Sequence, residues 1–339
     1  MSDALPLVSV IMPVRNEADF IERSLGAVLD QDYPHDRMEV FVADGLSNDG
    51  TVDLVHQLAS QSDIQVNIVE NPRRIVPTGF NAALECARGD IVIRIDGHTE
   101  IASDYVRTCV DTLERTGAQN VGGRMNAHGR GLFGKAVAAA TSTPFGVGGA
   151  RFHYSRHEEA VDTVYLGAWP RTVFDELGGF DKELVRNQDD ELNYRLRASG
   201  GIIVLNPAIR SVYYNRSTFR GLVRQYFQYG LYKVRVMQKH PRQMQARQFA
   251  PPMFVAVVLG GALLSPFSTT IRAIWVVTLA TYAAANLLAS VLTAARFGWR
   301  YLPLLPIVFG SLHISYGAGF LKGLWVFRGR WSTRRIDGE

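Results

Sequence analysis

The chain has 339 residues, with 36 basic and 32 acidic side chains and a formal charge of +4. That length suffices for one large domain or two moderate ones; the small charge, its basic excess lying near a hydrophobic tail, suits an anionic membrane face better than nucleic acid, for which no base-reading motif is present. Only Cys86 and Cys109 occur, which excludes a disulfide framework and a cysteine metal cluster and reads as two packed thiols.

Residues 1–7 carry neither a basic start nor an apolar signal stretch, so the soluble body is expected in the cytoplasm. Residues 7–14 form a nearly continuous apolar run, the pattern of a strand covered on both faces. A helix follows, capped by Asn16 or Asp19, with Phe20, Ile21, Leu25, Val28 and Leu29 at helical spacing until Tyr33-Pro34. The unit repeats: strand 39–43, helix 49–60, strand 66–69, helix 78–88, strand 91–95. Such alternation predicts a parallel sheet with right-handed crossovers. Two of these strands stop on acids, Asp44 and Asp96. Ligands sit beyond the carboxyl ends of parallel strands, so the two acids could converge on one polar ligand, although Asp-Gly also makes an ordinary turn.

After Asp96 the rhythm becomes irregular, and glycines crowd residues 122–149, which reads as loops and a mobile lid more than core. Acids cluster again at Asp189-Asp190-Glu191, where a helix is expected over 189–198. Residues 217–239 mix Arg220, Arg224, Lys233, Arg235 and Lys239 with aromatics, the pattern of a helix in a membrane interface or of a solvated surface helix. Three segments free of charge end the chain: 248–271, 273–295 and 301–321. At ~1.5 Å per residue the middle one spans a hydrocarbon core of ~30 Å. Pro251, Pro252 and Pro266 flank the first, while Pro303, Pro306, His313 and Gly317 interrupt the third. Lys322, Arg328, Arg330, Arg334 and Arg335 should stay on the cytoplasmic side, which favours two full spans and one re-entrant or interfacial segment.

The turn after the first strand reads Met12-Pro13-Val14-Arg15-Asn16-Glu17, without the glycines of a dinucleotide-binding fingerprint. This run, the loop Asp44-Gly-Leu-Ser47-Asn-Asp49-Gly-Thr51 and the segment Arg94-Ile-Asp96-Gly-His98 together resemble the family 2 glycosyltransferases over residues 7–232. Within that family they look most like bacterial membrane-associated glucosyltransferases of exopolysaccharide synthesis, of the succinoglycan type. The resemblance implies an α/β GT-A fold, the Rossmann-like, mostly parallel sheet of nucleotide-diphospho-sugar transferases, followed by C-terminal membrane helices. The expected regions are a cytoplasmic catalytic domain at 1–215, an amphipathic interfacial helix at 216–247, membrane segments at 248–327 and a basic cytoplasmic tail at 328–339.

By the same resemblance Asp44 would read the base, with Pro13, Arg15, Asn16 and Glu17 as the floor, Asp49 nearby and Arg94 on the donor side. Asp49 could equally be a helix cap. A departing diphosphate calls for a divalent cation, Mg or Mn, with Asp96 as the obvious ligand. His98 stands where many relatives have a second carboxylate, and it binds metal, touches phosphate or lines the site. Asp189 aligns with the base that deprotonates the acceptor hydroxyl, beside Asp190, with Gln188 in place of the usual Glu. Trp169 either stacks on an acceptor sugar or is structural. Gln225-Tyr-Phe-Gln228-Tyr229 departs from the motif of processive synthases.

The resulting expectation is an inverting transfer of a single sugar, glucose from UDP-glucose, to a polyprenyl-diphosphate-linked saccharide at the cytoplasmic face of the membrane. A sugar-nucleotide-binding scaffold or pseudoenzyme and a processive synthase are the alternatives.

Overall fold

A computed structural model describes residues 5–331, so residues 1–4 and 332–339, including Arg334 and Arg335 of the expected basic tail, lie outside the described residues. The chain then runs β1 (Val8–Val14), α1 (Ile21–Leu29), β2 (Met38–Asp44), α2 (Thr51–Ala59), β3 (Gln65–Glu70), α3 (Val76–Cys86), β4 (Ile91–Arg94), β5 (Thr99–Ile101), α4 (Tyr105–Thr116) and β6 (Asn120–His128). Next come α5 (Gly131–Thr141), α6 (Pro144–Val147), β7 (Glu159–Ala160), β8 (Tyr165–Pro170), α7 (Thr172–Leu177), α8 (Gln188–Ala198) and β9 (Ile203–Tyr214). Four long helices follow: α9 (Phe219–Lys239), α10 (Ala246–Leu264), α11 (Thr269–Phe297) and α12 (Leu305–Val326). Two compact units result, one running to Ala127 and resuming at Ala150–Tyr214, the other formed by His128–Gly149 and the residues from Asn215 onward.

The first unit is built on a nine-stranded sheet of order β3-β2-β1-β4-β8-β6-β9-β5, with β7 on β9. The strands from β3 to β4 are parallel, as their alternation with helices requires, whereas β8 runs antiparallel to both β4 and β6 and β5 antiparallel to β9. All seven residues of β1 are buried because helices cover both faces. Alternate residues divide between two cores. Val8, Val10, Met12, Ile93 and Ile95 pack with Leu25 of α1 and Val110 of α4. Ile11, Phe41 and Val92 pack with Phe80 of α3 and Leu192 of α8 on the other side. Each such side chain contributes roughly 1.5–3 kcal/mol by leaving water.

The glycine-rich stretch 122–149 is not a lid of loops. Its first part lies in β6, where a methyl group on Gly123 would fall 1.7 Å from the Ile209 carbonyl oxygen. These glycines therefore serve close approach of strands. Its second part is α5, whose Ala136, Val137 and Ala140 are buried in the helical unit. The cysteines also differ from expectation: Cys109 is buried, but Cys86 is exposed.

In the helical unit, α9 and α12 meet backbone to backbone. A methyl group on Gly230 would lie 2.0 Å from the Tyr316 carbonyl oxygen, and one on Gly319 2.0 Å from that of Phe227. The basic residues of α9 do not share one exposed face, since Lys233 and Arg235 are buried. Helices α10 and α11, of 19 and 29 residues, are long and apolar enough to cross a membrane. Their outward residues include Leu263 and Val277, 71% and 62% exposed. Pro251 and Pro252 lie inside α10 rather than beside it. The third apolar segment is a continuous helix, with Pro306 in the first turn, where its missing N–H does no harm. Its His313 is absorbed by packing: Nε2 lies 2.8 Å from the Phe145 carbonyl oxygen and Nδ1 2.9 Å from the Tyr282 hydroxyl.

Candidate active site

Beyond β1 and β2, two loops are knitted together by their own polar groups. The Asn16 N–H donates to the Ser47 hydroxyl at 2.8 Å, and the Asn48 N–H donates to Asn16 Oδ1 at 3.0 Å. Asn16 and Leu46 both have left-handed backbones, with φ of 53° and 57°. That conformation costs a side-chain-bearing residue roughly 1–2 kcal/mol. It is offset here by Asp44, which is buried and accepts bonds from the Ser47 N–H and hydroxyl. Asp49 is not the cap residue of α2, a position held by Gly50. Its carboxylate accepts instead from the Ala18 N–H at 3.0 Å and the Thr51 N–H at 3.1 Å, linking the two loops. Burial opposes ionisation of Asp49, but the hydrogen bond from the Thr51 hydroxyl, with those from the Ala18 and Thr51 N–H groups, outweighs it and holds the carboxyl below its usual range. Pro13 is buried in β1 opposite Ala43, past the end of the β4 ladder, and Arg15 is exposed.

The end of β4 is held differently. Arg94 and Asp96, two apart, meet on one side of the chain: Arg94 Nε and Nη2 donate to Asp96 Oδ1 at 3.0 and 2.7 Å. The Nη1 of the same guanidinium is ion-paired with Asp189 Oδ1, in the first turn of α8. Side-chain exposure rises from 7% for Arg94 through 17% for Asp96 to 42% for Asp189, so the arginine is the inner member and Asp189 the outer one. Burial pushes the Asp96 carboxyl up, yet Arg94 and His98 prevail and hold it below the usual range. For Asp189 the balance reverses: burial, with Asp96 and Asp190 as like charges, raises its carboxyl despite Arg94. His98 turns to the first loops, its Nδ1 3.1 Å from Glu17 Oε1.

Trp169 does not offer a face to a sugar. It is 1% exposed and packs edge-on against Phe80, Phe174 and Phe180, which makes it a core residue. Asn81, which sequence reading passed over, frames the site instead, together with Phe180 and Arg195. Asn81 donates to the Phe180 carbonyl and accepts from the Phe180 N–H, both at 2.8 Å; the Phe180 ring lies 5.7 Å from the Arg94 guanidinium; and Arg195 donates to the Gly179 carbonyl. The i, i+2 spacing of Arg94 and Asp96 carried a signal of this in the sequence.

Among the described residues no group of three or more His, Cys, Asp or Glu side chains forms a metal cage. Asp96 Oδ2 and His98 Nε2 are the donor atoms left by the contacts with Arg94 and Glu17. Such a sparse set fits a hard divalent cation that takes its remaining ligands from water and substrate phosphates. It does not fit a closed structural metal site.

The model for "Glycosyl transferase family 2" matches residues 9–176. The chain is 32% identical over 333 residues to the succinoglycan biosynthesis protein ExoA of Rhizobium meliloti (strain 1021), covering 97% of this chain and 99% of that one. It is 28% identical over 239 residues to the dolichyl N-acetyl-alpha-D-glucosaminyl phosphate 3-beta-D-2,3-diacetamido-2,3-dideoxy-beta-D-glucuronosyltransferase of Methanococcus voltae, covering 68% and 74%. Among solved structures, the mannosyltransferase PcManGT from Pyrobaculum calidifontis, in complex with GDP-Man and Mn2+, is similar with a TM-score of 0.62 and 24% identity, over 96% of this chain and 88% of that one. S. aureus TarS 1–349 in complex with UDP-GlcNAc is similar with a TM-score of 0.51 and 14% identity, over 98% and 95%. The expected GT-A fold is thereby borne out. From the ordered motifs, the polar residues beyond the ends of β1, β2 and β4, and a likeness that runs the length of the chain, it follows that this protein belongs to the family 2 glycosyltransferases.

Proposed function

We propose that the protein transfers a single glucose, with inversion, from UDP-glucose to a polyprenyl-diphosphate-linked saccharide at the cytoplasmic face of the membrane, as a step in exopolysaccharide synthesis. The observation that carries this reading is Asp189, a partly exposed carboxylate that is paired with the arginine holding Asp96. The succinoglycan role of the Rhizobium relative supports the biological setting, and the lipid-linked acceptor in the name of the Methanococcus relative supports the acceptor class. The apolar helices α10 and α11 would keep the enzyme where such an acceptor resides, with residues 1–215 as its cytoplasmic catalytic part.

In this scheme Asp44, with Pro13, Arg15, Asn16, Glu17 and Asp49, holds the nucleotide, and Asp96 and His98 would hold a divalent cation. When bound, Mg or Mn would supply positive charge against the departing diphosphate. Asp189 accepts the proton of the acceptor hydroxyl while that oxygen bonds to the sugar C1 and the C1–O bond to the diphosphate breaks. Asp190 lies on the acceptor side. Attack opposite the leaving group turns an α-linked donor into a β-glycoside.

Purified protein in detergent, given UDP-glucose and a polyprenyl-diphosphate-linked saccharide, should release UDP and form a β-glucoside identifiable by NMR. Chelation with EDTA should stop release, and added Mn²⁺ should restore it. Preference for GDP-mannose or UDP-GlcNAc would reject the donor assignment, and an α-linked product would reject the single displacement.

A further inference from the structure

We propose that Arg94 is a positioning residue that fixes the acceptor-side acid Asp189 to the donor-side acid Asp96, rather than a group that grips the nucleotide sugar. This rests on the reading of Asp189 as the base. The guanidinium is 7% exposed, and its three nitrogens are engaged: Nε and Nη2 with Asp96, Nη1 with Asp189. Its face lies over the Phe180 ring. Little of it is left to reach a ligand.

The surroundings make the guanidinium part of a closed frame. Phe180 is clamped through both its N–H and its carbonyl to the Asn81 carboxamide of α3. The neighbouring Gly179 carbonyl accepts from Arg195 at 2.8 Å, and Arg195 is in turn paired with Glu191, both on α8, the helix that carries Asp189. A path thus runs from β4 through Arg94 to Phe180, then Gly179, Arg195 and α8, and returns through Asp189 to Arg94. A planar fork that bonds two carboxylates at once fixes their separation in a way that a point charge does not. The consequence is that the base meets the acceptor hydroxyl at a set distance from the sugar carbon, where misplacement by about 1 Å costs on the order of 100-fold.

The test compares Arg94→Gln and Arg94→Lys with the wild-type chain, reading UDP and GDP binding by calorimetry and turnover of UDP-glucose with the lipid-linked acceptor. A positioning role leaves nucleotide affinity within about twofold and lowers kcat of Arg94→Gln by about 100-fold or more, with partial recovery in Arg94→Lys. In an Asp189→Asn background, adding Arg94→Lys should cost less than about threefold further, because both changes remove one function. A loss of nucleotide affinity of about tenfold or more in Arg94→Lys assigns Arg94 to the donor and overturns the proposal. Unchanged kcat in Arg94→Lys also overturns it when Arg94→Gln is fully active or does not fold. Full turnover in Asp189→Asn removes the base reading and this inference together, whereas an inactive Asp189→Asn with weakened nucleotide binding in Arg94→Lys removes this inference alone.

Discussion

The carboxyl ends of β2 and β4 each present an acid past a buried strand, but they hold it by different means. At β2, Asp44 is bonded to Ser47 three residues on, and Asp49 to Thr51 and to Ala18 of the adjoining loop. At β4, Asp96 is bonded to a buried arginine that also grips Asp189, a partner 95 positions away from that arginine. The first end is set by backbone N–H groups and hydroxyls within its own loops. The second depends on bringing distant elements together, so its chemistry exists only when the whole sheet-bearing unit is folded.

The largest effect that would sharpen this contrast is expected at the second end. Asp189→Asn should lower kcat by about 100- to 10,000-fold, with UDP affinity retained, as measured by UDP release and calorimetry. The pH profile should agree. The proposed base must be ionised to act, and the Asp189 carboxyl lies above the usual range, so turnover should fall with decreasing pH sooner than an ordinary carboxylate, near ~3.9, would dictate. In stability the sign is opposite: a raised native value means the folded state binds that proton more tightly, so this group favours folding as pH falls through its folded value.

Trp169→Ala ranks next. It should destabilise the protein by about 3–5 kcal/mol, seen as a lower melting temperature by circular dichroism. A large rise in acceptor KM at unchanged stability would contradict its place in the core. The smallest effect belongs to the first end. Asp49→Ala should cost about 1 kcal/mol or less, since these bonds are open to water. Because the Asp49 carboxyl lies below its usual range, that contribution is present above the unfolded value and lost as pH falls through the folded one. Chemical denaturation at neutral and acidic pH would therefore show the wild type and Asp49→Ala converging on the acid side. A deficit that persists at low pH would break the assignment of a charge-assisted link.

The same contrast decides what could be read without coordinates. The alternation up to Asp96 was legible because β1, β2 and β4 are apolar on both faces, and their crossovers carry helical periodicity. Residues 122–149 were not, since Gly123 reads as a loop signal although it serves a strand pressed against its neighbour. The strand-end acids announced themselves, but the partner of Arg94 did not, because an ion pair spanning 95 positions leaves no local pattern. Trp169 next to Pro170 and Arg171 looks the same in sequence whether it faces a ligand or a core. Only the cluster of Phe80, Phe174 and Phe180 distinguishes the two.

The reciprocal bonds among Asn16, Ser47 and Asn48 also bear on how such an enzyme can be re-engineered. The segments 15–19 and 45–51 form one interchangeable part made of two pieces of chain. A graft that imports either piece from a relative leaves the other with unmatched polar groups and one unsupported left-handed residue. Transplants of nucleotide preference should therefore succeed only when both segments travel together.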